Sequence, residues 1–127
     1  MKILVVDDET DVQVLFEQRF RREIRSGALS FSFAFSGEEA LDYLNGHHSE
    51  VVLILSDINM PGMSGLELLR RVRTEHTPPP PPRVMMITAY GDDASRRQAF
   101  DLGADDFLTK PVDFAALKEK LLALPSA

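Results

Sequence analysis

Apolar residues along this chain follow two alternating rhythms. Short, nearly unbroken apolar runs occur at 3–6 (ILVV), 51–56 (VVLILS) and 84–88 (VMMIT), with SFSFAF at 30–35 and a brief run at 106–108. Runs of this length, rich in β-branched residues and apolar on both faces, predict strands inside a parallel sheet. Between them the spacing changes to threes and fours. In the first such segment Val12, Leu15, Phe16, Phe20 and Ile24 share one helical face. Ser36 with Glu39, and Ser64 with Glu67, have the capping-box spacing that opens a helix. The helix after Ser64 closes on Arg70, Arg71 and Arg73, cations favoured at a C-terminus. A fourth helix is expected from about residue 92 to Leu102, with Gly103 as its stop. The fifth starts at Asp113, with Val112 and Leu117 placed for a hydrophobic staple, and ends before Pro125. Five successive strand–helix units predict one α/β unit. Its expected form is a doubly wound, five-stranded parallel sheet with helices on both faces and right-handed crossovers.

Composition narrows the possibilities. A chain of 127 residues can bury a substantial core, and 44% hydrophobic with 27% charged residues is ordinary for a globular protein. The absence of cysteine excludes disulfides and thiolate metal sites. The first apolar run is only four residues long, too short for a signal-peptide core or a membrane span, so a cytoplasmic location without membrane attachment is expected. A net charge of −6 argues against nucleic-acid binding through a broad basic surface. His47 and His48 fall in a polar, Gly-flanked loop and His76 near a helix end; no carboxylate pattern makes metal ligands of them. The HTPPPPPR stretch carries five prolines at 78–82, read as a stiff connector in preference to a proline-motif ligand.

Chemistry gathers at the carboxyl ends of the expected strands. The first is followed by Asp7, Asp8 and Glu9, and the third ends at Asp57. The fourth ends at Thr88 and the fifth at Lys110. In open α/β sheets ligands bind at that edge, and with a flavodoxin-like order 2-1-3-4-5 the first and third strands are neighbours. Crowded carboxylates repel one another unless a cation compensates them. Oxygen donors with room for water suit octahedral Mg²⁺. A carboxylate beside such an ion can attack phosphorus, because the metal offsets the charge that would repel a phosphoryl group. Lys110 and the Thr88 hydroxyl suit the remaining phosphoryl oxygens. Singly, each residue has a plainer reading: Asp57 a turn residue, Thr88 a β-former, Lys110 a surface charge, Phe107 part of the core. Together they share one sheet edge.

VVDDE at 5–9, SDINMPGMSG at 56–65, ITAYG at 87–91 and FLTKP at 107–111, in this order and spacing, resemble the response-regulator receiver domain of two-component signalling. The resemblance covers about residues 2 to 122, and implies a receiver domain at 1–124 with a short tail at 125–127. It implies that Asp57 is the phosphoacceptor, and that Asp8, Asp57 and the backbone carbonyl of Asn59 hold Mg²⁺, or Mn²⁺ in its place. Asp7 then supports the ion through water. Thr88, Lys110 and the backbone N–H of Ala89 are implied to bind the phosphoryl group, and the Lys110–Pro111 bond to be cis. Thr88 and Phe107 stand at the family's switch positions, and Asn59 and Tyr90 where it tunes dephosphorylation. The proline run is the chief departure from the pattern.

The function so implied is a phosphorylation-controlled switch, catalysing only its own phosphoryl transfer and autodephosphorylation. It is fed by a histidine kinase, a phosphotransfer protein or a small phosphodonor. Output is expected through the face of the fourth helix, fifth strand and fifth helix, toward an effector domain, a target protein or a second copy. Two other functions compete. A hydrolase using Asp57 as nucleophile lacks a cap domain and a general acid beside it, since position 59 is Asn. A flavin binder would want a Ser-, Thr- or Gly-rich loop after the first strand, where this chain has acids. Ending at LPSA, the chain reads as a single-domain regulator or as a receiver cut from a longer protein.

Overall fold

Each apolar run forms a strand, and the strands assemble in one parallel sheet. The structure, a computed structural model, describes residues 1–47, 50–75, 82–89 and 91–124. The strands are β1 (Lys2–Val6), β2 (Ser30–Ala34), β3 (Val51–Asp57), β4 (Arg83–Thr88) and β5 (Asp106–Thr109). Their order is β2-β1-β3-β4-β5, every pair parallel. The helices are α1 (Asp11–Arg19), α2 (Arg21–Ser26), α3 (Gly37–His47), α4 (Gly65–Glu75), α5 (Asp93–Asp101) and α6 (Phe114–Leu122).

The two-residue period of the strands divides the core between the sheet faces. Leu4, Val6, Ile54, Val84 and Met86 point to one side, against Leu44 of α3, Leu68, Leu69 and Val72 of α4, and Ala99 of α5. Ile3, Val5, Leu53, Leu55, Met85 and Ile87 point to the other, against Phe16 of α1 and Leu117 and Leu121 of α6. Helices thus cover both faces, the doubly wound arrangement, with the central strands the most deeply buried.

The first helical segment departs from expectation. It breaks at Phe20 (φ −110°, ψ 22°) into α1 and α2, giving six helices instead of five among the described residues. Phe20 is 1% exposed and sits among the rings of Phe16, Phe31 and Phe114. Seating that ring interrupts the helical screw. Beyond the break Glu23 faces inward and Ile24 stays 37% exposed, as Leu15 does at 38%. A single stripe through Val12, Leu15, Phe16, Phe20 and Ile24 therefore does not exist.

The caps form by halves. Ser36 Oγ accepts from Glu39 N–H at 3.0 Å and Ser64 Oγ from Glu67 N–H at 3.2 Å. The Glu67 carboxylate pairs forward with Arg70. Asp113 Oδ1 caps α6 by accepting from Ala115 and Ala116 N–H, with Val112 packed in the same core as Leu117. Of the proline run, Pro82 alone is described, its carbonyl accepting from Arg73 at 2.8 Å. Pro78 to Pro81, His48, His76, Tyr90 and the tail 125–127 lie outside the described residues, as does the side chain of His47.

Candidate functional site

The sheet register assembles the acidic edge. Val6 pairs with Ser56 and Asp57 with Ile87, so the next residue of the first strand, Asp7, stands beside Asp57. The Asp7 N–H donates to Ala34 O at 3.1 Å and Ile58 N–H to Ile87 O at 3.2 Å, extending the ladder past both acids. One carboxylate oxygen from each of Asp7, Asp8 and Asp57 lies within 4.8 Å of the others. Asp7 is 4% exposed and Asp57 2%, while Asp8 faces solvent.

Lys110 closes the cluster from the far side of β4. Its Nζ donates to Asp57 Oδ2 at 2.9 Å, and its backbone N–H donates to Thr88 O at 2.9 Å. The Lys110–Pro111 peptide that follows is cis. Burial disfavours the ammonium charge, but the hydrogen bond to Asp57 and the fields of Asp57 and Asp7 outweigh it, so the Lys110 pKa is held above its ordinary value. Burial raises the Asp7 carboxyl above the usual range. The Glu9 N–H, donating to it at 2.9 Å, opposes that rise and the Asp57 charge reinforces it. One ammonium therefore does not compensate the site's negative charge.

The residues fit a divalent cation. Three converging carboxylates, those of Asp7, Asp8 and Asp57, form an all-oxygen donor set of the kind Mg²⁺ takes, and the N–H of exposed Asn59 donates to Asp57 Oδ1 at 3.4 Å beside it. Opposite ligands of Mg²⁺ stand about 4.2 Å apart, so a 4.8 Å cluster admits the ion with bridging water or a small closing of the acids. The chemistry available is electrostatic pairing of anionic oxygens, with one carboxylate, Asp57, set between the cluster and Lys110.

Thr88 reaches the same edge with its hydroxyl engaged elsewhere. Buried at 1% exposure, it donates to Leu108 O on β5 at 3.4 Å, next to Phe107. Ala89 follows, exposed, at the end of β4. Phe107 is half-buried against the α3–α4–α5 core, paired with Met86, and the Arg96 guanidinium lies 5.4 Å above its ring. The sheet edge thus unites Asp7, Asp8, Asp57 and Lys110 directly, and links Thr88 to Phe107 through β5.

Two participants were not legible beforehand. Gly65 opens α4 with its N–H on Ile58 O at 2.8 Å, and a Cβ there would meet Asp57 O at 2.1 Å. Only glycine lets the helix approach the back of Asp57; its place directly after the capping Ser64 was the available signal. The contact of Arg96 with Phe107 joins two elements and leaves no mark in local spacing.

The sequence model of the family described as the response regulator receiver domain matches residues 3–122. The chain is 38% identical over 124 residues to Response regulator RppA of Synechocystis sp., covering 98% of this chain and 50% of that protein. To Transcriptional regulatory protein ResD of Bacillus subtilis it is 37% identical over 110 residues, covering 87% and 42%. It therefore spans half or less of the length of these curated relatives. A chain in the co-crystal structure of the Saccharomyces cerevisiae histidine phosphotransfer signaling protein Ypd1 and the receiver domain of its downstream response regulator Ssk1 superposes with a TM-score of 0.82 at 25% identity, covering 95% of this chain and 86% of that one.

Proposed function

This chain belongs to the response regulator receiver domain family of two-component signalling, and on that premise we propose that it is a switch thrown by phosphorylation of Asp57. A carboxylate oxygen of Asp57 attacks the phosphorus of a phosphohistidine, on a histidine kinase or phosphotransfer protein, or of a small phosphodonor. The bond from phosphorus to the donor nitrogen or oxygen breaks, and its electron pair leaves with the donor, which takes up a proton. The observation that carries this reading is the placing of buried Asp57 between two further carboxylates within 4.8 Å and an ammonium at 2.9 Å.

Asp8, Asp57 and the Asn59 carbonyl would hold a Mg²⁺ ion, or Mn²⁺ in its place, with Asp7 supporting it through water, and the ion would supply the positive charge that lets an anion approach an anion. Lys110 exchanges its contact with the Asp57 carboxylate for one with the transferred group, stabilising charge as it develops. The Thr88 hydroxyl leaves Leu108 O for a phosphoryl oxygen, which the N–H of Ala89 also serves. That exchange frees the β5 segment carrying Phe107 and alters the α5–β5–α6 face. The altered face meets an effector domain, a target or a second copy of the chain. Asn59 and Tyr90, two residues past Asp57 and Thr88, set how fast water removes the group, so autodephosphorylation is part of the same chemistry.

The proposed partner class has a precedent in the superposed complex, in which a histidine phosphotransfer signaling protein is crystallised with a receiver domain. The test is transfer from phosphoramidate, a small phosphoryl–nitrogen donor, with and without Mg²⁺. Stoichiometric, Mg²⁺-dependent labelling that then decays is expected. Continuous turnover of a generic phosphomonoester would favour a hydrolase and overturn the switch.

A further inference from the structure

Away from the acidic edge, the end of α1, α2 and the middle of α6 surround an open groove of about 780 Å³. α1 runs nine residues, about 13 Å, from its start beside the acids to this end. The groove is lined by Gln18, Arg19, Arg21, Arg22, Arg25 and Lys118, with Glu23 as the one acid. Five of the chain's 14 Lys and Arg thus meet one of its 20 Asp and Glu, on a molecule whose net charge is −6. The cause is local. QRFRREIR at 18–25 carries four arginines in eight residues, and burying Phe20 leaves its neighbours on both sides in solvent.

Two of the five cations have partners within the chain. Lys118 Nζ bridges Glu23 Oε2 at 2.8 Å, and the Arg19 guanidinium lies 5.5 Å from the centre of the Phe114 ring. Arg21, Arg22 and Arg25 are exposed and make no ion pair among the described residues. The arginines of α4 differ: Arg70 pairs with Glu67, Arg71 with Glu75 at 3.1 Å, and Arg73 with Asp105 at 2.9 Å. These three arginines share one six-residue helix with a single acid, Glu23, whose carboxyl is held low mainly by Lys118 and in small part by the Arg22 charge, and each presents a donor fork matched to phosphate oxygens.

The groove's volume falls in the range of small-molecule sites, but its lining is charged instead of apolar. A duplex or a membrane surface would also meet the rest of the chain, whose formal charge without the groove's five cations and one acid (−6 − 4) is −10, and be repelled by it. A compact anion would not. We infer that this groove binds a small molecule carrying adjacent phosphate groups, held by Arg21, Arg22 and Arg25. This inference stands apart from the phosphorylation of Asp57, since none of these residues belongs to that site.

Titration calorimetry in EDTA at fixed ionic strength tests it, with pyrophosphate and ATP as the two probes. Pyrophosphate is expected to bind, and the Arg21→Ala/Arg22→Ala/Arg25→Ala variant to bind at least tenfold more weakly. An Arg70→Ala/Arg71→Ala control, removing two paired arginines, should be unaffected. Equal affinity for both probes means that the phosphates alone are read; tighter ATP binding adds recognition of the nucleoside, and both support the inference. Should the triple variant melt early, a severalfold weakening in Arg22→Gln reads the same way. Absence of pyrophosphate binding, an affinity unchanged in the variants, or binding only of an oligonucleotide or an acidic peptide would overturn it.

Discussion

Lys110 Nζ stands 2.9 Å from Asp57 Oδ2, so the residue after β5 closes on the end of β3 across the intervening β4. The Asp57 side chain is 3% exposed and that of Lys110 40%. Removing one partner of a buried ion pair costs about 3–5 kcal/mol, but water screens the lysine here. Lys110→Ala is therefore expected to lose about 1–2 kcal/mol in EDTA, read from urea melts. A loss below about 0.5 kcal/mol, the level of an exposed pair, would contradict the role given to this contact.

A second prediction follows from Asp7, whose carboxyl is raised by burial and by Asp57. The fold disfavours its charged form. Its stabilising contribution is thus full below the ordinary carboxylate range and is lost as pH rises through the raised value. In EDTA, Asp7→Asn should be more stable than the parent chain at neutral pH, with the gap closing toward acid. Asn can still accept from the Glu9 N–H, which isolates the charge. A gap that widens toward acid would reverse the assignment.

Mg²⁺ should relieve the same repulsion. At tenfold excess over its dissociation constant, an ion binding only the native state adds about 1.4 kcal/mol. Melting temperature should rise with millimolar Mg²⁺ in the parent chain and stay fixed in Asp8→Ala, since exposed Asp8 contributes charge to the cluster and little to the core. An equal rise in both would place the ion elsewhere.

The output face is expected to respond to a phosphoryl mimic. α5 buries Ala99 alone and leaves Phe100 69% exposed, so it holds to the sheet through little surface and can shift at small cost. Hydrogen exchange should change in α5, β5 and α6, with a coupling of about 1–3 kcal/mol. Changes confined to α1 or α3 would place the output elsewhere.

Most of the sheet was legible because its signal is local. VVLIL and VMMIT are buried on both faces, and the acids terminating their neighbours mark the edge where a ligand binds. Asp7, Asp8, Asp57 and Lys110 converge because strand order and register bring them together; the alternation of strands with helices gives the parallel sheet, while the order came from the flavodoxin-like pattern. What sequence periodicity missed depends on contacts between elements. The break at Phe20 follows from a ring cluster contributed by α1, β2 and α6, and no periodicity within 11–26 records it. The tightness at Gly65 belongs to the packing of α4 against β3, and the stacking of Arg96 on Phe107 to that of α5 against β5. The capping pattern at Ser64 and Glu67 holds for the serine, whose Oγ accepts from the Glu67 N–H. The glutamate found a stronger partner in Arg70.

The central claim is that Asp57 alone accepts the phosphoryl group, and intact mass measurement after incubation with acetyl phosphate and Mg²⁺ addresses it most directly. The parent chain should gain one phosphoryl mass, lost slowly on standing, and Asp57→Asn should gain none, because Asn cannot act as the carboxylate nucleophile. Asp7 and Asp8 remain within the cluster in that variant, so it also tests whether a neighbouring acid can substitute. A phosphoryl mass persisting in Asp57→Asn, or absent from the parent chain with Mg²⁺ in excess, would contradict the account.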